Sequence, residues 1–150
     1  MDNIEHVYHV RMNMYDEIVI CKDRENRNNL DNMLLKSVLS TIEKTTIMIN
    51  IKTEGKQNAE LTGKKIFLIL KKYDHVFYLC STNEYAIAEC IEHRNFFSAK
   101  DIKIGVISFN IPIGMYTHID IDFICIQYDI IHEEFIKDFE VRNIAVISWI

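Results

Sequence analysis

A chain of 150 residues with 49% hydrophobic and 26% charged residues can bury enough apolar surface to offset its ordering entropy, which excludes a disordered chain and predicts one domain over residues 1–150. Its net charge of -5 and pI near 5.7 argue against a dedicated grip on a polyanion, which takes a clear excess of Lys and Arg. No apolar run approaches the roughly 20 residues that span a bilayer, and Met1 to His6 carries neither a basic nor an apolar signal region, so a cytoplasmic location without membrane attachment is expected.

From Ile4 to Met14 the even positions Ile4, Tyr8, Val10, Met12 and Met14 are apolar while Glu5, His9, Arg11 and Asn13 are polar, the period of a half-buried strand. Ile18 to Cys21 predicts a second strand. Between Asn28 and Lys44 the residues Leu30, Leu34, Val38 and Ile42 recur every four, widened by Met33, Leu35 and Leu39, which predicts an amphipathic helix capped by Asn28 or Asn29. Thr45 to Lys52 then reads as a β-branched strand.

Beyond a polar loop near Glu54 to Gly63, the runs Ile66 to Leu70 and Val76 to Cys80 flank a charged turn and predict a hairpin. Ser81, Thr82 or Asn83 can cap a following helix, with Glu84 placed as in a capping box. Ile102 to Ile111 and Thr117 to Tyr128 read as a second hairpin, with Gly105 a bulge candidate and Pro112 at an edge or connection. Ile131, Phe135 and Phe139 predict a short helix behind Asp129, and Val141 to Ile150 a closing apolar strand. The expected fold class is α+β: a mostly antiparallel sheet with about three helices packed on one face.

Four constellations bear on chemistry. His118, Asp120 and Asp122 alternate with Ile119, Ile121 and Phe123, so a strand would present an imidazole and two carboxylates on one face as divalent-metal ligands, with His132, Glu133 and Glu134 nearby. A solvated strand face shows the same alternation and is the stronger reading. Lys64, Lys65, Lys71 and Lys72 interleave with Phe67, Tyr73, Phe77 and Tyr78, which would pair phosphate contacts with base stacking, against lysines that merely flank a strand. His6 and His9, three apart, point to opposite faces of a strand and do not share a ligand. Cys21, Cys80, Cys90 and Cys125 form no CxxC pair and read as reduced, mostly buried thiols.

The chain has no nucleophile elbow, phosphate loop, dinucleotide glycine pattern or zincin motif, and only 4 glycines. No cofactor is expected. The leading expectation is a small non-catalytic binding or regulatory domain acting through contacts with a protein partner, with self-association into a homo-oligomer through a strand edge. Counts of 26 Ile, 12 Asn and 12 Lys against 8 Leu and 5 Arg suggest an AT-rich genome and hence a viral or parasite accessory protein. The alternative is a metal-dependent hydrolase using His118, Asp120 and Asp122, and the third reading is a nucleic-acid-binding module.

Overall fold

The computed structural model describes residues 3–21, 30–99, 101–109, 120–127, 129, 131 and 133–149. Seven strands form one sheet: β1 (His6–Met12), β2 (Ile18–Ile20), β3 (Thr46–Ile51), β4 (Val76–Ser81), β5 (Ile102–Ser108), β6 (Phe123–Gln127) and β7 (Ala145–Trp149). Four helices connect them: α1 (Leu35–Thr41), α2 (Gln57–Leu70), α3 (Glu84–Phe97) and α4 (Glu133–Val141). The strand order is β2-β1-β3-β4-β5-β6-β7. Only the β1–β2 pair is antiparallel; every other neighbouring pair is parallel. The expected antiparallel α+β sheet with three helices is therefore corrected to a mostly parallel sheet with four.

The reason lies in what the apolar runs bury. Parallel strands covered on both faces read as near-continuous hydrophobic sequence, as do Ile47 to Ile51, Phe77 to Cys80 and Phe123 to Ile126. Ile47, Ile49 and Ile51 join a large cluster with Leu35 and Leu39 of α1, Ile66 and Phe67 of α2, Ile87 and Cys90 of α3, and Phe135 and Phe139 of α4. The opposite face is sealed by strand residues, with Met48, Tyr78, Cys80, Phe123 and Cys125 at its centre and Ile4, Val76, Ile107 and Ile147 packed around them. All four helices thus lie on one side, and the strands' own side chains fill the other.

The first predicted hairpin fails at α2. Ile66 to Leu70 is the last turn and a half of a helix whose inward stripe is Ala59, Thr62, Gly63, Ile66, Phe67 and Leu70. Half of that stripe is small, so the periodicity is weak in hydrophobicity and strong in size. A Cβ at Gly63 would come within 2.8 Å of the Ala86 carbonyl oxygen, which is how closely α3 packs on α2. The second predicted hairpin is also absent, because β5 and β6 pair in parallel from Gly105↔Phe123 to Ser108↔Ile126; Pro112 lies outside the described residues.

The first helix is shorter than its pattern. Asn32 turns the chain with a positive φ of 65°, and Leu34 makes a single bridge to Val19 of β2, so the helix begins only at Leu35. The Asn28 and Asn29 caps lie outside the described residues, and Lys44 lies past the helix, 3.3 Å from Asp74. At α3, Asn83 provides the cap by accepting from the Tyr85 and Ala86 amides. Ser81 forms no capping box; its hydroxyl instead donates to the Ile51 carbonyl at 2.8 Å. Val141 ends α4, so the closing strand is shorter than its apolar run, and β7 is an edge strand with Ala145 and Ser148 exposed. Among the described residues no helix is long and apolar enough to cross a membrane.

Gly105 is not a bulge. It pairs in unbroken register with Cys80 and Phe123, and an added Cβ would lie 2.5 Å from both the Phe123 ring and its carbonyl oxygen. The missing side chain is the space the Phe123 ring occupies, with Tyr78 edge-on at 5.4 Å. Gly105→Ala is expected to lower stability by roughly 1–3 kcal/mol through overpacking, measured by urea unfolding.

Candidate active site at the carboxyl ends of the parallel strands

Strand alternation assigns each side chain to a face. Tyr8 and Val10 belong to the helix-side cluster, so Val7, His9 and Arg11 face the side away from the helices, where Val7 is 53% exposed. Met48 belongs to the interior cluster, and Asn50 and Lys52 follow it on the same face. The register His9↔Asn50 and Val10↔Ile51, with the Lys52 amide donating to the Val10 carbonyl at 2.8 Å, sets Arg11 beside Lys52 at the carboxyl edge of the sheet. His6 faces the helix side with Tyr8, its ring stacked on the Tyr8 ring at 5.9 Å.

Arg11 belongs to a hydrogen-bonded rim, while Lys52 is exposed. Arg11 Nη2 donates to Asn32 Oδ1 at 2.8 Å. The β1–β2 turn is tied by Asn13 Oδ1, which accepts from the Tyr15 and Glu17 amides at 2.9 Å, and by Lys65 Nζ, which donates to the Asp16 carbonyl at 2.8 Å. Asn83 Nδ2 donates to the Gly55 carbonyl at 3.0 Å and joins the loops after β3 and β4.

The thiols report the local field. Burial pushes the Cys21 thiol up, while the positive charges of Arg11 and Lys52 pull it down and Asp31 opposes them. Burial raises Cys80 well above the ordinary thiol range, helped by Cys125 and countered by Lys52, so Lys52 is felt on both flanks of the mouth. Burial also pushes Cys125 up to about 11 and raises Cys90. At neutral pH these are packing thiols and not nucleophiles.

The predicted candidates lie elsewhere. Asp120 and Asp122 precede β6, at the opposite, amino edge of the sheet, and His118 and His132 lie outside the described residues. Arg94 of α3 pairs with Asp122, donates to the Asp120 carbonyl at 2.9 Å and lies 3.4 Å from the Asp120 carboxylate. Asp122 Oδ2 also accepts from the Ile104 amide at 2.8 Å. This joins α3 to β5 and to the approach of β6. Among the described residues no group of three or more His, Cys, Asp or Glu side chains could hold a metal ion.

Lys64 and Lys65 lie within α2, while Lys71 caps its end and Lys72 follows. Lys71 Nζ sits 3.6 Å from the centre of the Phe97 ring. Phe67, Phe77 and Tyr78 are buried, and the Tyr73 hydroxyl donates to the Lys36 carbonyl at 2.9 Å. His9, Arg11, Asn50 and Lys52 were not singled out by sequence pattern. The available signal is polarity at alternate positions, with Asn50 and Lys52 interrupting the apolar run from Ile47.

No protein-family model and no curated relative matches the sequence, but solved structures do match its fold. A glycerophosphodiester phosphodiesterase from Parabacteroides distasonis superimposes with a TM-score of 0.67 at 9% identity, covering 95% of this chain and 69% of its own. An Oleispira antarctica phosphodiesterase, in complex with the product sn-glycerol-3-phosphate, gives 0.74 at 16% identity, covering 96% and 71%. The fold is TIM-barrel-like. That finding overturns the expectation of a non-catalytic regulatory domain, which rested on missing motifs, and of a viral or parasite accessory protein, which rested on residue composition; in barrels catalytic groups come from separate strand ends and leave no compact motif.

The two aspartates should separate by their surroundings. Asp122→Ala leaves the Ile104 amide without its acceptor and the nearly buried Arg94 guanidinium with its Asp120 contacts alone, and is expected to cost roughly 1–3 kcal/mol. Asp120→Ala removes a carboxylate that is 76% exposed and should cost under about 1 kcal/mol; thermal and urea denaturation of both variants checks the difference.

Proposed function

We propose that this chain is a phosphodiester hydrolase whose reaction takes place at the carboxyl mouth of the sheet. One feature carries the reading: Arg11 of β1 and Lys52, the residue that follows β3, come level at the carboxyl edge of the parallel strands, both charges act on Cys21, and barrels of this kind carry their chemistry at that edge. The substrate class is drawn from the fold analogy with the two phosphodiesterases. The cations give that analogy a place to act.

A phosphodiester carries a negative charge that the mouth can hold. The Arg11 guanidinium can take two phosphate oxygens at once, and the Lys52 ammonium adds a point charge beside it. Charge spread over the equatorial oxygens in the transition state is stabilised by the same pair. His9, in register with Asn50 and one position below Arg11 on the same face, is placed to take a proton from attacking water. The water oxygen bonds to phosphorus, the ester P–O bond breaks, and the proton returns to the leaving alkoxide. The protein is read as acting inside a cell, where its four free cysteines stay reduced.

A chromogenic phosphodiester assay, run with and without added divalent ions, tests this reading. Arg11→Ala and Lys52→Ala should each lower kcat/KM by about 10²-fold, while Lys64→Ala on the outer helix should leave it unchanged. Absence of turnover in the unaltered protein, or full activity in both mouth variants, would contradict the proposal.

A further inference from the structure

The sheet ends differently on its two sides. Beyond β2 the chain covers its own edge: the Ile20 amide donates to the Met33 carbonyl at 2.9 Å, the Asn32 amide donates to the Ile20 carbonyl at 2.8 Å, and Leu34 bridges to Val19. On the other side β7 ends the strand order, and no described residue pairs beyond it. The Ala145 amide donates to the Asp122 carbonyl at 3.0 Å, which fixes the alternation of the ladder. Ala145, Ile147 and Trp149 turn their backbone groups toward β6, while Val146 and Ser148 turn theirs outward.

An open edge is a template for another strand, and chains blunt it with Lys, Pro or a bulge. This edge is not blunted. Ile144 to Ile150 contains no charged side chain, no proline and no glycine, and β7 follows β6 in unbroken register from Phe123↔Ala145 to Gln127↔Trp149. Both its faces are apolar, Val146 half-buried against the helix-side cluster and Ile147 half-buried against the interior one. The edge is also self-complementary. A two-fold axis through Ile147 sets two copies of β7 antiparallel, with Val146 of each opposite Ser148 of the other and the outward N–H and C=O groups of both residues all paired. Ile147 then faces its own copy at the closer, non-hydrogen-bonded spacing. The same axis reverses α4, so that its acidic first turn, Glu133 and Glu134, lies toward the end of the second copy's helix, where Val141 is exposed and Arg142 follows.

We infer that this chain forms a two-fold homodimer through β7, the two strands pairing antiparallel with Ile147 at the axis and the two sheets becoming one. The occupant of the edge is a second copy because that pairing uses every outward backbone group of Val146 and Ser148 in one closed contact, and because the axis sets unlike charges of the two α4 helices toward each other. β7 lies at the opposite end of the strand order from β1 and β2, and the pairing does not depend on the phosphoester reading of the mouth.

Sedimentation velocity of the full chain over a concentration series tests the assignment. The unaltered protein should reach twice the chain mass of 17.7 kDa. Ser148→Lys puts a charge at an exposed position of the edge, and Ser148→Pro removes an outward amide while leaving the β6 ladder intact. Each should weaken association by about tenfold or more, with circular dichroism checking that the variants are folded. Cross-linking reads the register. Under mild oxidation Ile147→Cys should give a covalent dimer, because facing residues of a non-hydrogen-bonded pair have Cα atoms about 4.5 Å apart, within disulfide reach. Ser148→Cys, which faces Val146, should stay at the background set by the native thiols. A monomer at every concentration, larger open-ended species, association unchanged in both folded Ser148 variants, or cross-linking through Ser148→Cys and not through Ile147→Cys would each overturn the proposal.

Discussion

Two parallel strands cannot be joined by a tight turn, so the chain must leave the sheet and cross back to the same edge each time it adds one. That constraint organises this molecule. The helix-side cluster holds residues of all four helices, whereas the interior cluster is made of strand residues with Ile4. Gly105 shows how tight the second layer is, because the Phe123 ring lies where its side chain would be. A sheet with helices on one side and its own side chains on the other has two unlike edges.

The two edges divide the work. At the amino edge, Arg94, Asp120 and Asp122 join α3 to β5 and the approach of β6 through charge-assisted hydrogen bonds. At the carboxyl edge, hydrogen bonds tie loop to loop, with Arg11 of β1 held by Asn32 and Lys52 exposed just past β3. Electrostatics reinforces the division: Lys52 acts on both Cys21 and Cys80, while burial keeps Cys80 and Cys125 protonated.

Much of the local structure was legible in the sequence, and the pairing was not. The alternation of Tyr8, Val10 and Met12 in β1, the apolar core of β3 and β4 and the stripe of α4 each follow from the residues alone, whereas Ile4 packs on the opposite face and Met14 is exposed beyond the strand. What misled was α2. Its inward face carries Ala59, Thr62 and Gly63 in the first half and Ile66, Phe67 and Leu70 in the second, so hydrophobicity alone divides one helix into a loop and a strand. Losing that helix turned a β–α–β unit into a hairpin and a parallel sheet into an antiparallel one. The site was hidden for a related reason: His9, Arg11, Asn50 and Lys52 become neighbours only through the parallel register of β1 and β3, and neither strand by itself shows a motif.

The central claim is that ligand chemistry belongs to the carboxyl edge. The most direct measurement is an amide chemical-shift titration of the full chain with sn-glycerol 3-phosphate. The account predicts perturbations grouped at Arg11, Cys21, Asn50, Lys52 and Asn83, with the Arg94 and Asp122 amides unmoved. Shifts centred on Arg94, Lys103 and Asp122, or no shifts at saturating phosphate, would contradict it.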